Sequence, residues 1–264
     1  MLLGAVSLTA AFVATAFGAA LPLVDPPKSL EKRDYVESYE VWEINDNSTE
    51  EYSRETDDAW SKVELKFPMT IFDKSSSTVW FSMNGLISLD EPSANPSIPT
   101  KQLPIDPASC GLGSSCLPKN TLALMWQDLF MPIGVEGLAV EWIYHEPSLR
   151  PDIGHHYHII FNVCDKKAVL SDGIPKETKK CGKATRFFGL NYYENKPGVF
   201  HISWHFDKEV TNPGVIGAQA YPKYIQVPYP GNIDLPDNPD YYVSCIILDT
   251  VKGTTIVPKD RKDC

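Results

Sequence analysis

Hydrophobic and polar positions alternate most clearly between Phe67 and Leu89, in the sequence FPMTIFDKSSSTVWFSMNGLISL. In its second half, Val79 and Phe81 fall on one side of an extended chain and their neighbours on the other, which is the period of a half-buried strand. Asn84-Gly85 supplies two residues that tolerate a positive φ, so we expect a two-residue type I′ turn there. The stretch therefore predicts strands joined by a polar turn and by a tight hairpin.

Similar short runs of β-branched and aromatic residues recur along the chain, separated by turn residues. Pro is frequent, at 22 of 264 residues, and no long window has the apolar spacing of an amphipathic helix. Pro68 interrupts the run Val63–Phe72, which indicates a bend or an edge strand. The other runs are Asp34–Trp42, Thr121–Phe130, Gly137–Glu146, His155–Cys164, Thr185–Glu194, Gly198–Asp207, Val215–Tyr221 and Tyr241–Thr250. The pattern predicts an all-β fold, specifically an antiparallel β-sandwich.

A long segment between Asp90 and Asn120 has almost no periodicity. We expect it to form a loop stapled by a disulfide between Cys110 and Cys116. Loops carried by a rigid β-scaffold are frequent contact surfaces, so this loop is the predicted place for a partner to bind.

The N-terminus predicts secretion. Residues 2–20, LLGAVSLTAAFVATAFGAA, carry no charge and end in small residues, as a signal peptide does. A transmembrane anchor is the alternative, but the segment is rich in Ala, Ser, Thr and Gly and lacks a positive flank that would stop transfer. We expect a signal peptide over 1–20, a propeptide or spacer over 21–33 that ends in a dibasic site, and a single β-sandwich domain with an irregular C-terminal extension over 34–264.

The spacer ends in Lys32-Arg33. Such a pair resembles the sites cut by kexin-like proteases, an arrangement common among fungal secreted proteins. The alternative is a pair of solvated surface charges. If the site is cut, the mature chain begins at Asp34.

Net charge restricts the partners. The full chain has 24 basic and 34 acidic residues and a formal net charge of −10, and loss of residues 1–33 makes it −11. Nucleic acids and anionic lipids require a cationic surface, so neither is an expected partner. The polar C-terminus VPKDRKDC has no hydrophobic anchor signal. We therefore expect an extracellular protein or a glycan as the partner, no membrane anchor and no cofactor.

Cysteines and a sequon agree with an extracellular location. The chain has six cysteines behind the signal peptide, which predicts three disulfides. Fifteen pairings are possible in principle; we favour pairing between sequence neighbours, because each cysteine then has a near partner. The expected pairs are Cys110–Cys116, Cys164–Cys181 and Cys245–Cys264. Asn47-Ser48-Thr49 is a glycosylation sequon, and Asn47 is its predicted acceptor.

The histidines form the most specific candidate for a metal-binding or catalytic site. His156 and His158 share one face of a predicted strand, and His201 and His205 share one face of another. If these strands pair, up to four imidazoles converge and could bind a metal ion. The alternative is a solvated face of ordinary strand residues.

Several motifs resemble the NIDO-type extracellular β-domain of nidogen-like proteins and related secreted fungal proteins. The matching pieces are FPMTIF with TVWFSMNGLISL, then NTLALMWQDLF, GLAVEWIYHE and LNYYENKPGVFHISWHFDKEVTNPGVIGAQ, between Val63 and about Ala220. The resemblance implies an extracellular adhesion or surface-interaction module without known catalytic residues.

Three functions therefore remain open. The expected one is a secreted binding or surface-interaction module without catalysis. The first alternative is a secreted metal-dependent hydrolase that uses the histidine cluster. The second is a carbohydrate-binding module, in which rings such as Trp80, Trp142 and Tyr144 would stack on sugar faces.

Overall fold

A computed structural model describes residues 39–43, 56–57, 60–93, 102–109, 116–131, 138–143, 154–165, 185–207, 214–228, 233–234 and 241–258. These residues all belong to one compact unit, Val36–Cys264. Residues 1–33 and Asn47 lie outside the described residues, and so do the processing residues Lys32 and Arg33. Within the described part of the chain, no helix has the length and apolar character needed to cross a membrane.

Strands make up nearly all the regular structure of the described residues. In chain order they are β1 (Tyr39–Glu43), β2 (Thr56–Asp57), β3 (Trp60–Ile71), β4 (Lys74–Ser82), β5 (Leu86–Ser88), β6 (Asn120–Trp126), β7 (Leu129–Met131), β8 (Leu138–Ile143), β9 (His156–Asp165), β10 (Thr185–Tyr193), β11 (Val199–Asp207), β12 (Val215–Ala220), β13 (Lys223–Val227), β14 (Ile233–Asp234), β15 (Tyr241–Asp249) and β16 (Thr254–Ile256). The one helical element described is a 3₁₀ turn, Pro107–Ser109.

These strands form two antiparallel sheets. The larger sheet has the order β1-β8-β9-β10-β11-β15-β14, with β16 paired to β15 and β7 paired to both β2 and β9. The smaller sheet has the order β13-β12-β6-β5-β4-β3. The predicted all-β antiparallel fold is confirmed.

A single core lies between the two sheets. Strand β3 alternates regularly, with Val63 and Leu65 buried and the residues between them exposed. Its core side meets the aromatic side chains of β9, β10 and β11, and one cluster of buried residues contains members of both sheets. The Nε1–H of Trp204 on β11 donates to the carbonyl of Leu124 on β6 across the core, at 2.9 Å. The arrangement is a β-sandwich.

The smaller sheet also has a second buried layer on its outward side. Leu103, Ile105 and Leu117 come from the segment after β5 and pack against residues of β5 and β6 that face away from the main core. Strand β6 is therefore buried along its whole length. The described part of the loop predicted between Asp90 and Asn120, which we call the covering loop, thus covers the sheet and is not a free surface.

Pro68 and the Asn84-Gly85 turn show where sequence reasoning succeeded and failed. Strand β3 is an edge strand and its register with β4 shifts between Glu64 and Met69, so the bend or edge position predicted for Pro68 is confirmed.

The prediction of a two-residue type I′ turn at Asn84-Gly85 is wrong. Three residues separate the paired Ser82 and Leu86, and Gly85 alone among them has a positive φ, of 74°.

Gly85 is required by close packing as well as by its φ. A Cβ there would lie 2.4 Å from the carbonyl oxygen of Met125. The Asn84 side chain points inward, where its Oδ1 accepts a hydrogen bond from the backbone N–H of Leu129 at 2.9 Å. Asn84 thus joins the hairpin to β7 instead of providing a turn conformation.

One end of the sandwich is held by Thr250. Its hydroxyl accepts a hydrogen bond from the N–H of Phe72 and donates one to the carbonyl of Gly198, both at 3.0 Å. Phe72 has a positive φ of 56°, which is costly for a side chain of its size. Thr250 therefore ties the β3–β4 turn to the β10–β11 turn.

Candidate functional site

The predicted histidines lie on strands β9 and β11, with β10 between them. His158 and His201 both pair with Asn191 on β10, whereas His156 pairs with Tyr193. Since neighbouring strands are about 4.8 Å apart, the Cα atoms of His158 and His201 are separated by about 10 Å. His205 pairs with Phe187, about 13 Å along β11 from His201.

This register does not bring the three described imidazoles to one point. In the described part of the chain, no group of three or more His, Cys, Asp or Glu side chains could hold a metal ion. The side chain of His205 is outside the described residues, so a site that includes it stays untested.

Tyr193 occupies the space between the histidines. His156, on the β9 side, stacks on its ring at 5.2 Å between centroids, and His201, on the β11 side, meets it edge-on at 5.3 Å. The Lys196 ammonium lies 5.1 Å from the centre of the same ring. Burial, and then the charge of Lys196, lower the pKa of His201. The cluster is therefore an aromatic and imidazole surface that favours neutral His201.

A second contact extends this cluster towards solvent. His155 Nδ1 lies 2.5 Å from a carboxylate oxygen of Glu194, and both side chains are substantially exposed. Exposed pairs of this kind contribute about 1 kcal/mol or less to stability. The pair is thus a surface contact and not a proton relay to a buried group.

Tryptophans were the other candidates. Trp126 and Trp204 are fully buried and belong to the cores. Trp60 on β3 and Trp80 on β4 are partly exposed and occupy strand positions that alternate with core residues, so they lie on the outward side of the smaller sheet. Of the predicted platform, the side chain of Trp142 and all of Tyr144 lie outside the described residues.

Trp60 and Trp80 are diagonal neighbours. Trp60 pairs with Ser82, and Trp80 pairs with Lys62, two positions further along the hairpin. Diagonal positions on adjacent strands are separated by about 7 to 8 Å, which aromatic side chains span easily. Beside them Lys62 contacts Glu64 at 2.9 Å, and the Thr78 hydroxyl donates to Glu64 at 2.7 Å. We call this surface the hairpin face; it consists of Trp60, Lys62, Glu64, Thr78 and Trp80.

The charges of the hairpin face are satisfied locally. The hydrogen bond from Thr78, followed by that from Lys62, lowers the pKa of Glu64, so its carboxylate is ionised at neutral pH. It lies next to the Lys62 ammonium, and the two charges cancel. The hairpin face thus combines aromatic rings with polar groups and no net charge.

No family model, curated protein or solved structure matches this chain. The NIDO-type resemblance therefore rests on the motifs in the sequence.

The covering loop is attached by two side-chain amides that sequence reasoning missed. The Oε1 of buried Gln219 accepts the Ile105 N–H at 2.8 Å, and its Nε2 donates to the carbonyls of Ile105 and Pro118 at 3.1 and 3.0 Å. Gln226 accepts the Leu103 N–H at 2.7 Å. The sequence gives one sign of this contact, which is Gln219 within the predicted strand VIGAQA. A glutamine at such a position is equally typical of a side chain that faces solvent.

Asp90 closes the same loop at its other end. One of its oxygens accepts hydrogen bonds from the backbone and the side chain of Asn120, each at 2.7 Å, and the other contacts the Lys74 ammonium. Burial raises the pKa of Asp90, but these hydrogen bonds outweigh burial and the net pKa is lowered. The two ends of the loop are thus held together by a charged group.

Three of the predicted disulfide cysteines are described. Cys116, Cys164 and Cys245 are buried and disulfide-bonded. Strands β10 and β11 separate Cys164 from Cys245 by about 14 Å, so these two are not joined to each other. Cys110, Cys181 and Cys264 lie outside the described residues, and the predicted pairing stays a prediction.

Proposed function

We propose that this protein is a secreted extracellular domain that works by binding, without catalysis of its own. The hairpin face is the observation that carries the proposal. It places two partly exposed tryptophans beside hydrogen-bonding side chains on two paired strands. Aromatic residues of this type supply large contact areas at low conformational cost, and they are enriched at binding surfaces.

The covering loop supports this location. It buries the outward side of β5 and β6, and Trp60 packs against the cluster that it forms with these strands. The outward side of β3 and β4 continues past this cover with the exposed residues Lys62 and Glu64. A partner that docks on the smaller sheet would therefore meet the hairpin face.

Secretion and processing belong to the same proposal. We expect the signal peptide to be removed, the chain to be cut after Arg33 and Asn47 to carry a glycan. Intact mass and N-terminal sequencing of the secreted protein, before and after enzymatic removal of N-glycans, test these steps. A chain that keeps residues 1–20 in the medium would contradict them.

The binding function is tested with the mature protein on two arrays, one of glycans and one of extracellular matrix proteins. Saturable binding to at least one array, lost when the protein is unfolded beforehand, is the expected result. Absence of saturable binding on both arrays would contradict the proposal.

A further inference from the structure

We infer that the hairpin face binds a neutral polysaccharide, an equatorially linked pyranose polymer of the cellulose or chitin type. This inference rests on the binding function proposed above and gives the partner its chemistry. It depends on the arrangement of the rings, on the paired charges and on the way in which Trp60 is held.

The rings suit the flat faces of sugars. Pyranose rings with equatorial substituents expose C–H groups on both faces, and these groups make apolar contact with aromatic rings, whereas the hydroxyls at the rim need polar partners. Trp60 and Trp80 occupy diagonal positions on one side of one hairpin, where the backbone positions are about 7 to 8 Å apart. A polymer chain that lies across the hairpin can therefore contact both tryptophans at once.

The charges favour a neutral ligand. Lys62 and Glu64 are both exposed and are paired at 2.9 Å, so the five residues of the hairpin face carry no net charge, which suits a neutral ligand better than a sulfated glycan. The whole chain has a formal net charge of −10, which repels polyanions further. The Thr78 hydroxyl, the Lys62 ammonium and the Glu64 carboxylate remain suitable hydrogen-bonding partners for sugar hydroxyls.

The covering loop holds the Trp60 ring in place before a ligand binds. Trp60 packs against the cluster that contains Leu103 and Ile105, and the loop backbone at both residues is fixed by Gln219 and Gln226. A ring that is already held loses little freedom when ligand binds, which improves affinity. Trp80 provides the second contact from the neighbouring strand.

Binding is measured by depletion of the mature protein from solution with insoluble cellulose and with insoluble chitin, and by calorimetry with soluble oligosaccharides of both polymers. We expect Trp80→Ala to weaken binding about tenfold or more, since truncation of a central aromatic contact commonly has this effect. Trp80→Tyr, which keeps a ring, should retain most of the binding. Tyr224→Ala is the matched control, because Tyr224 is an exposed ring on β13, at the other edge of the same sheet.

Salt provides a second readout. Binding of a neutral polymer should change little between low and high ionic strength, whereas binding through charge should weaken strongly. Thermal unfolding of each variant checks that the fold is retained, and Trp80→Tyr keeps the test valid if Trp80→Ala does not fold.

The outcomes separate this inference from the proposed function. Polymer binding that is unchanged in Trp80→Ala overturns the inference. Binding to matrix proteins with no binding to either polymer also overturns it and leaves the proposed function standing. Binding to neither array nor polymer overturns both.

Discussion

Tyr157 and Phe67 exchange two hydrogen bonds across the core of the sandwich. The Phe67 N–H donates to the Tyr157 hydroxyl at 2.6 Å, and this hydroxyl donates to the Phe67 carbonyl at 3.1 Å. Their rings also stack at 4.1 Å. The backbone of Phe67 falls within the part of β3 where pairing with β4 shifts, so a tyrosine of the other sheet replaces the missing strand partner.

Tyr157→Phe should therefore destabilise the protein by about 1 to 3 kcal/mol, because it leaves a buried N–H and a buried carbonyl of Phe67 without this partner. Urea unfolding of the mature protein measures the loss as a lower midpoint with an unchanged slope. Tyr224→Phe, at an exposed position, is the control and should change stability by less than about 0.5 kcal/mol. Equal stability of the two variants would show that the Tyr157 hydroxyl contributes nothing.

Gln219→Leu should detach the covering loop. The change removes three hydrogen bonds to Ile105 and Pro118 and leaves buried backbone groups unsatisfied. Hydrogen exchange at the Ile105 amide should become faster by about tenfold or more, since each lost bond contributes about 1 kcal/mol to the free energy of local opening. Gln226→Leu is the matched variant and should accelerate exchange at Leu103 first. Unchanged exchange at Ile105 in Gln219→Leu would contradict this role.

Thr250→Val tests the tie between the two turns. Valine has nearly the same shape but cannot bond the Phe72 N–H or the Gly198 carbonyl through a hydroxyl. We expect a loss of about 1 to 3 kcal/mol in the free energy of unfolding. Thr254→Val, on exposed β16, should have little effect on the same measurement. If both variants behave alike, the hydroxyl of Thr250 does not hold the turns.

The lowered pKa of His201 predicts a pH dependence of stability. A histidine whose pKa is lower in the folded state than in the unfolded state binds fewer protons when folded, so its contribution is present above the unfolded pKa of about 6.5 and is lost as the pH falls through the window below it. Urea midpoints measured across this window should fall less steeply for His201→Asn than for the original protein. His158→Asn provides the comparison, because His158 faces the same Asn191 from the opposite strand. A steeper fall of the urea midpoint in His201→Asn would show that folding raises the pKa of His201 and does not lower it.

Metal content tests the hydrolase alternative. Tyr193 separates His156 from His201, so we expect no stoichiometric metal in the purified mature protein. Elemental analysis is carried out on the original protein and on His156→Ala and His201→Ala. Stoichiometric metal that disappears with either substitution would favour the hydrolase over the binding domain.

Sequence reasoning succeeded where one side of a strand is buried and the other is solvated. The alternation around Val63 and Val79 predicted β3 and β4, because residues that face the core alternate with residues that face solvent along these strands. Sequence reasoning also predicted β6, within the run Thr121–Phe130, but it did not show that β6 is buried on both sides, since the second layer comes from Leu103 and Ile105 in the preceding loop.

The polar contacts of the interior were beyond prediction for a related reason. The local sequence of Asn84 favours a turn, but its side chain accepts a hydrogen bond from the Leu129 backbone N–H, 45 residues away. Gln219 similarly bonds Ile105 over 114 residues. Such hydrogen-bond partners are determined by tertiary packing, and the local conformational preferences of a residue do not predict them. The four histidines were correctly placed on strands, yet the sequence could not show that Tyr193 stands between them.

Strand β3 has a consequence for how copies of the protein behave at high concentration. Among the described strands, β3 is 12 residues long and lies at the margin of its sheet, and long edge strands are general templates for pairing with another chain. Here the exposed side chains of Lys62, Glu64 and Lys66 place charge along this edge, and Pro68 cannot donate a hydrogen bond. Pro68, which lies within the register shift of β3, thus also helps to protect the protein against edge-to-edge aggregation.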